Sequence, residues 1–270
     1  MAVRDKQMRF FFSNTGHKPK GASGMENGRI VVVTGGAGGI GSKIVGRFLA
    51  NGDTVFAIDN RLDALKTLLG TWNVQERLVA VEGDVSKEDD TRGFADTIRA
   101  KTGRVDVLIN CAGYYPIVPF EKMTFDNWQL IIAINLSGAF LMVSALLPLM
   151  KGRGWGRIVN IASASVFEGV VGQTHYVAAK DGLIGFSRSL AMEVGDYGIT
   201  VNSIAPGLTV TAPVKRGMSA SVIEGQRALR AIKRDEQPED LVGPVFFLAS
   251  PAANFMSGQM LVVDGGKIKH

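Results

Sequence analysis

The run Thr34-Gly35-Gly36-Ala37-Gly38-Gly39-Ile40-Gly41 lies between an apolar stretch, Ile30-Val31-Val32-Val33, and a segment in which Ile40, Ile44, Val45, Phe48 and Leu49 recur at helical spacing. This order of strand, tight turn and amphipathic helix constrains the fold more than any other feature of the chain. Glycine is required there for two reasons. The backbone must take positive φ to turn from strand into helix, and a diphosphate reaches backbone N–H groups only where no β-carbon intervenes. Gly35, Gly39, Ile40 and Gly41 are the candidates to hold a dinucleotide pyrophosphate. The glycine spacing is wider than in G-x-G-x-x-G, so the strand and helix that flank it carry the argument.

Strand-like and helical segments then alternate along the chain. Strands are predicted at 30–34, 54–58, 78–82, 105–110, 156–161, 200–205 and 260–263, and helices near 40–51, 61–69, 87–102, 124–151, 174–196 and 239–249. Uniformly apolar strands in such an alternation imply a parallel sheet covered on both faces. The expected fold is α/β: a single-domain, Rossmann-type, doubly wound parallel sheet of about seven strands, over residues 28–270. A chain of 270 residues, 46% of them hydrophobic, is long enough for that core. The stretch 207–234 is too long for an ordinary connection and carries Val214, Met218, Val222 and Ile223 among polar residues, as a substrate lid with one apolar side would.

The net charge of +5 is informative only once it is located. Residues 1–29 hold six Lys or Arg against Asp5 and Glu26, an excess of four, which leaves one for the remainder. No nucleic-acid surface is inferred from it. The stretch 1–27 lacks the apolar core of a signal peptide, and a disordered extension or a cloning remnant is expected. The apolar segment 130–150 raises the question of a membrane span, but Asn135, Ser137, Ser144 and Pro148 interrupt it; a buried helix in a soluble protein is expected. The single Cys111 cannot form an internal disulfide, which fits the cytoplasm. No His, Cys or carboxylate group has metal-ligand spacing, so chemistry without a metal is expected.

Ligands of parallel sheets bind beyond the carboxyl ends of the strands. Asp59 closes the second strand eighteen residues after Gly41, where an acid hydrogen-bonds the adenosine ribose and repels a 2′-phosphate; this favours NAD, with Arg61 as a complication. Asp84 and Val85 follow the third strand. Asn110, Ala112 and Gly113 follow the fourth, where Cys111 reads as a small buried side chain rather than a nucleophile. Ser163 follows the fifth strand and precedes Tyr176 by thirteen residues, and Tyr176 and Lys180 are four apart on one helix face.

A free tyrosine has a pKa of about 10, so a base near neutral pH needs that value lowered by roughly two to three, about 3 to 4 kcal/mol. Lys180 and a nicotinium charge are expected to supply it. Tyr176 would take the proton of an alcohol whose carbon passes hydride to a nicotinamide, and return it in reduction. Ser163 would hydrogen-bond the substrate oxygen, with Ser165 as the alternative if the turn is displaced. His175 borders the tyrosine and is read as an edge of the substrate pocket rather than a base. Tyr115, Phe167 and Met218 suggest an apolar or aromatic substrate; equally, they pack the lid onto the body.

These elements resemble the short-chain dehydrogenase/reductase family from Ile30 to the end of the chain. The matches are Thr34-Gly-x-x-x-Gly39-x-Gly41, Asp84-Val85, Asn110-x-Ala112-Gly113, Asn135, Ser163, Tyr176-x-x-x-Lys180, Pro206-Gly207 with Thr211, Ser257-Gly258-Gln259 and Val263-Asp264-Gly265-Gly266. Within the family, Tyr115-Pro116-Ile117-Val118-Pro119-Phe120 and Thr174-His175-Tyr176 are similar to bacterial NAD-dependent alcohol dehydrogenases of the 1-phenylethanol dehydrogenase type. Pyridoxal 4-dehydrogenases share much of the pattern, including a terminal histidine like His270.

The resemblance implies that Pro206, Gly207 and Thr211 contact the cofactor and that Lys180 also holds the nicotinamide ribose. It implies that Asn135 holds a water linking Lys180 to solvent; read from the residues alone, Asn135 is equally a helix-interior polar group in need of a partner. It also implies a homotetramer built through helices 124–151 and 174–196 and the C-terminal strand. The expected activity is NAD-dependent oxidation or reduction of a small, secondary alcohol or carbonyl. A 3-oxoacyl thioester reductase, a pyridoxal or polyol dehydrogenase, and a dinucleotide sensor without turnover are the alternatives.

Overall fold

The computed structural model describes residues 28–72 and 76–269, so the expectations for residues 1–27 and for His270 lie outside them. Seven strands form one sheet: β1 (Ile30–Thr34), β2 (Thr54–Asp59), β3 (Leu78–Glu82), β4 (Val107–Asn110), β5 (Gly156–Ile161), β6 (Ile199–Pro206) and β7 (Met260–Val263). Their order is β3-β2-β1-β4-β5-β6-β7, and every pairing is parallel. The order reverses direction between β1 and β4, so the sheet carries a switch point where the first βα turn and the end of β4 meet.

Alternate residues of each strand feed two cores, because side chains project to opposite faces with period two. Val32, Phe56, Leu108, Ile158 and Val201 point to the face covered by α3 (Glu88–Thr102), the helix Gly138–Met150 and the helix Thr174–Val194. Val31, Val33, Val55, Ile109 and Val159 point to the face covered by α1 (Gly39–Ala50), α2 (Leu62–Thr71) and the helix Pro238–Leu248. Burial on both faces explains the unbroken apolar runs of the strands.

The predicted helix 124–151 is α4 (Phe125–Ile132) and α5 (Gly138–Met150), joined by one π turn, Ala133–Ser137. Asn135 widens it: its side-chain amide donates to the carbonyl of Ile131 at 3.1 Å, inside the helix ladder. The continuous apolar span, 125–150, is long enough to cross a membrane by length and composition. Within α5, Met142, Val143, Leu146 and Met150 are buried in the sheet core, so that part of the span packs on the sheet.

Downstream come α6 (Ser165–Glu168), α7 (Thr174–Val194), α8 (Ala212–Gly217), α9 (Ala220–Leu229) and α10 (Pro238–Leu248). The predicted strand 105–110 begins only at Val107; the N–H of Val105 goes to the carbonyl of Leu149 in α5, away from the sheet. The lid segment contains α8 and α9, two short helices that its mixed pattern did not separate.

Candidate active site

The glycine turn is as tight as its composition requires. Gly35 has φ of +62°, and a β-carbon on it would meet Ala112 Cα at 2.9 Å. One on Gly41 would fall 2.1 Å from the Gly35 carbonyl oxygen. One on Gly39 would reach Thr211 Cγ2 at 2.8 Å, so Thr211, in the loop after β6, closes over the turn. Gly38 offers no side-chain cap to α1, leaving the first-turn N–H groups of Gly39, Ile40 and Gly41 as anion donors at the positive end of the helix. Thr34 Oγ1 accepts from the N–H groups of Cys111 (3.0 Å) and Ala112 (3.1 Å) and so ties the end of β4 to this turn. Sequence reasoning placed Thr34 in the motif without this role.

Asp59 is buried at the end of β2. Its carboxylate accepts from Ala37 N–H at 3.2 Å and from the Arg61 guanidinium at 3.0 and 3.2 Å. This hydrogen bond raises the already high pKa of Arg61, whose half-exposed guanidinium reaches toward Gly38. The acid expected to repel a 2′-phosphate therefore stands beside a cation that would attract one. Asp84 caps its own turn by accepting from Ser86 Oγ at 2.7 Å, and Val85 is buried against Gly138. Asn110 donates to Asn160 Oδ1 at 2.8 Å, while its own Oδ1 has no partner among the described residues, and the residue lines a cavity of about 10 Å³ with Thr34, Ala112 and Asn135. That is room for a single water.

At the neighbouring strand end three groups converge. Lys180 is buried on α7, and its Nζ donates to the carbonyl of Ile161, the last residue of β5, at 2.7 Å. Nζ lies 5.7 Å from the centre of the Tyr176 ring, and the Tyr115 ring meets Tyr176 edge-on at 6.2 Å. Ser163 lies two residues beyond β5, and its hydroxyl acts on the Tyr176 phenol to lower its pKa, against the effect of burial. A β-carbon on Gly113 would sit 3.0 Å from Asn135 Oδ1 and 3.6 Å from Lys180 Nζ, so β4, the π turn and α7 meet there. Asn135 has its own partners: it donates to the Tyr114 carbonyl at 2.8 Å and accepts from Tyr114 N–H at 3.3 Å. Asn135 thus has the partners that a helix-interior polar group needs, and it fixes the loop after β4 beside Lys180.

Without a nicotinium charge, the chain alone does not lower the Tyr176 pKa. Burial pushes the phenol up to about 12, the Ser163 hydrogen bond opposes this, and Tyr115 and Cys111 add to it. Burial also pushes Lys180 down to about 8. The chain by itself holds a protonated phenol, because removing two polar groups from water outweighs their proximity. Cys111 is held inert in the same way, its thiol pushed up to about 12 by burial.

Of the proposed substrate contacts, Tyr115 stands against Tyr176 and Phe167 is exposed on α6. Met218 is half-buried where α8 ends, and no described contact joins it to Tyr176. His175 is fully buried, with Nδ1 accepting from Tyr176 N–H at 2.9 Å, so it lies behind the pocket wall rather than on it. Pro206 accepts from Ala164 N–H at 2.8 Å, linking β6 to the Ser163 turn. Gly207 donates to Glu236 Oε2 at 3.1 Å, and Thr209 donates to Glu236 Oε1 at 2.7 Å. Glu236, a buried carboxyl under the Pro206–Thr211 loop, was not found by sequence reasoning, since a lone acid before Gln237-Pro238 carries no signal.

A cradle in which β-carbons would collide, first-turn donors at a helix N-terminus and a buried acid at the end of β2 fit a nicotinamide dinucleotide. Comparison with known proteins agrees. Residues 29–220 match the short chain dehydrogenase family, and the chain belongs to the short-chain dehydrogenase/reductase family of oxidoreductases. It is similar to an acetoacetyl-CoA reductase of Cupriavidus necator, 37% identical over 243 residues, covering 88% of this chain and 97% of that protein. It is also similar to a D-threitol dehydrogenase of Mycolicibacterium smegmatis, 34% identical and covering 89% and 93%. A crystal structure of a short-chain dehydrogenase/reductase described as glucose/ribitol dehydrogenase, from Brucella melitensis, superposes with a TM-score of 0.86 at 29% identity, covering 91% of this chain and 99% of that one.

Proposed function

We propose that this protein transfers hydride between NAD and a small secondary alcohol or the corresponding carbonyl, with an apolar or aromatic group on the substrate. The observation that carries the reading is the convergence of Ser163, Tyr176 and Lys180 at the end of β5, across the switch point from the glycine turn. A bound nicotinamide supplies the hydride acceptor or donor. The chain's own residues do the rest: Tyr176 moves the hydroxyl proton, Ser163 donates to the oxygen on which charge develops, and Lys180 brings a positive charge to the phenol once a substrate oxygen is in place. Tyr115 and the exposed Phe167 supply an apolar wall.

A second reading, reduction of a 3-oxoacyl thioester with NADP, is favoured by Arg61 beside Gly38 and by the names of relatives such as the acetoacetyl-CoA reductase. Activity assays coupled to NAD or NADP over aryl secondary alcohols, acetoacetyl-CoA, pyridoxal and polyols separate the two. Turnover of an alcohol with NAD supports the first reading, and turnover confined to NADP with acetoacetyl-CoA replaces it with the second.

The proposed assembly is a cytoplasmic homotetramer. Phe125, Leu130 and Phe140 are 70%, 47% and 54% exposed along α4 and α5, and a surface hollow of about 400 Å³ opens among Phe125, Trp128 and Ile132. Large apolar groups left exposed along these two helices support burial against a second copy. Light scattering at micromolar concentration tests it, and a monomer would refute it.

A further inference from the structure

A serine hydroxyl has two lone pairs and one proton. Ser165 occupies both lone pairs of Ser163: its Oγ donates to Ser163 Oγ at 2.8 Å, and its backbone N–H donates to the same atom at 3.2 Å. Only the O–H of Ser163 remains to be given. From this geometry we infer that Ser165 is a positioning residue that holds Ser163 as a donor only, aimed at the reacting oxygens. The inference rests on the proposed roles of Ser163 and Tyr176.

The backbone around Ser163 is already fixed. Ala162 N–H donates to Ile204 at 2.7 Å and Ala164 N–H donates to Pro206 at 2.8 Å, which fastens the chain to β6 on both sides of Ser163. Ser165 opens α6, whose N-cap, Ala164, has no side-chain acceptor to offer, so the first-turn N–H of Ser165 turns to Ser163 instead. The freedom left to Ser163 is rotation of its hydroxyl, and Ser165 removes it.

The chemical consequence is directional. A free hydroxyl divides its time between donating to the Tyr176 oxygen and accepting from the protonated phenol, and the second arrangement stabilises the wrong state for a base. A donor-only Ser163 stabilises a phenolate on Tyr176 and an alkoxide on substrate, the two oxygens that become negative during turnover. The other groups facing the phenol are Tyr115 in the loop after β4, Cys111 at the end of β4, and Lys180 and His175 on α7. None of them bonds to Ser165 among the described contacts, so an effect of Ser165 on Tyr176 passes through Ser163.

The test is an ultraviolet difference titration of the Tyr176 phenol in NAD-saturated protein, with Tyr176→Phe as the blank. Ser165→Ala should raise the midpoint by about half to one pH unit, on the scale of one charge-assisted hydrogen bond weakened. Ser165→Thr, which keeps the hydroxyl, should restore it. Ser163→Ala should raise it as well, and adding Ser165→Ala to that variant should change nothing more. An unshifted midpoint in Ser165→Ala, or equal and additive shifts in the double variant, would overturn the role of Ser165 while leaving Ser163 in place. An unshifted midpoint in Ser163→Ala would instead overturn the proposed site itself.

Discussion

Lys180 is bonded to the carbonyl of Ile161 at 2.7 Å, and this contact pins the ammonium to the end of the strand that leads into Ser163. Sheet geometry, rather than the helix alone, therefore sets where the cation stands relative to the phenol. With Tyr176 pushed up to about 12 and Lys180 down to about 8, the proton resides on tyrosine in the free protein. Oxidation requires the phenolate, so its kcat should rise with pH across the neutral to alkaline range. Reduction requires the phenol, which stays protonated until pH nears 12, so its kcat should hardly change over that range. Rate profiles in both directions check this, and an oxidation rate independent of pH between 6 and 10 would contradict it. Lys180→Met should lower the oxidation kcat by about 100-fold or more.

Steric closure at the glycine turn gives a second expectation. Gly41→Ala places a methyl group 2.1 Å from the Gly35 carbonyl, and the backbone must shift. A loss of about 1–3 kcal/mol of stability is expected, together with weakened dinucleotide binding. Gly93→Ala in α3 meets nothing within 4 Å, and should instead stabilise by about 0.5–1 kcal/mol. Urea unfolding and fluorescence titration with NADH measure both.

Glu236 makes stability depend on pH. Burial pushes its carboxyl from 4.5 up to about 7, against the bonds from Thr209 and Gly207 and the neighbouring Arg230. The folded state thus binds a proton more tightly than the unfolded chain. This contribution is fully present below about pH 4.5 and is lost as pH rises through about 7. Glu236→Gln should flatten the dependence: between pH 5 and 8 the wild type should lose about 1–3 kcal/mol relative to the variant. Parallel changes in the two proteins would contradict the assignment.

Cys111 should be unreactive. With its thiol pushed up to about 12, the thiolate is scarce at neutral pH, and alkylation by iodoacetamide should be far slower than for a free thiol. Rapid labelling of the native protein at pH 7, followed by mass spectrometry, would contradict this.

The sheet was legible because strands buried on both faces must be uniformly apolar, and β1 to β7 lie within one or two residues of their predicted places. The glycine turn was legible because Gly35 and Gly41 have steric reasons to be glycine. The break in the helix 124–151 was not, since the π turn arises from the diversion of one carbonyl by Asn135, which hydropathy does not register. Likewise Glu236 and the pairing of Ser165 with Ser163 exist only through contacts made across the fold or around a turn. The upward shift of Tyr176 in the free protein was not legible, because proximity to Lys180 can be read from spacing, whereas burial cannot.

The central claim is that Tyr176 moves the substrate proton beside a dinucleotide held at the glycine turn. It is tested most directly by Tyr176→Phe, with NADH binding followed by fluorescence and turnover followed on the substrate found active with the wild type. The variant should bind NADH as the wild type does and lose about 100- to 10,000-fold in kcat. Wild-type turnover in Tyr176→Phe would contradict the account.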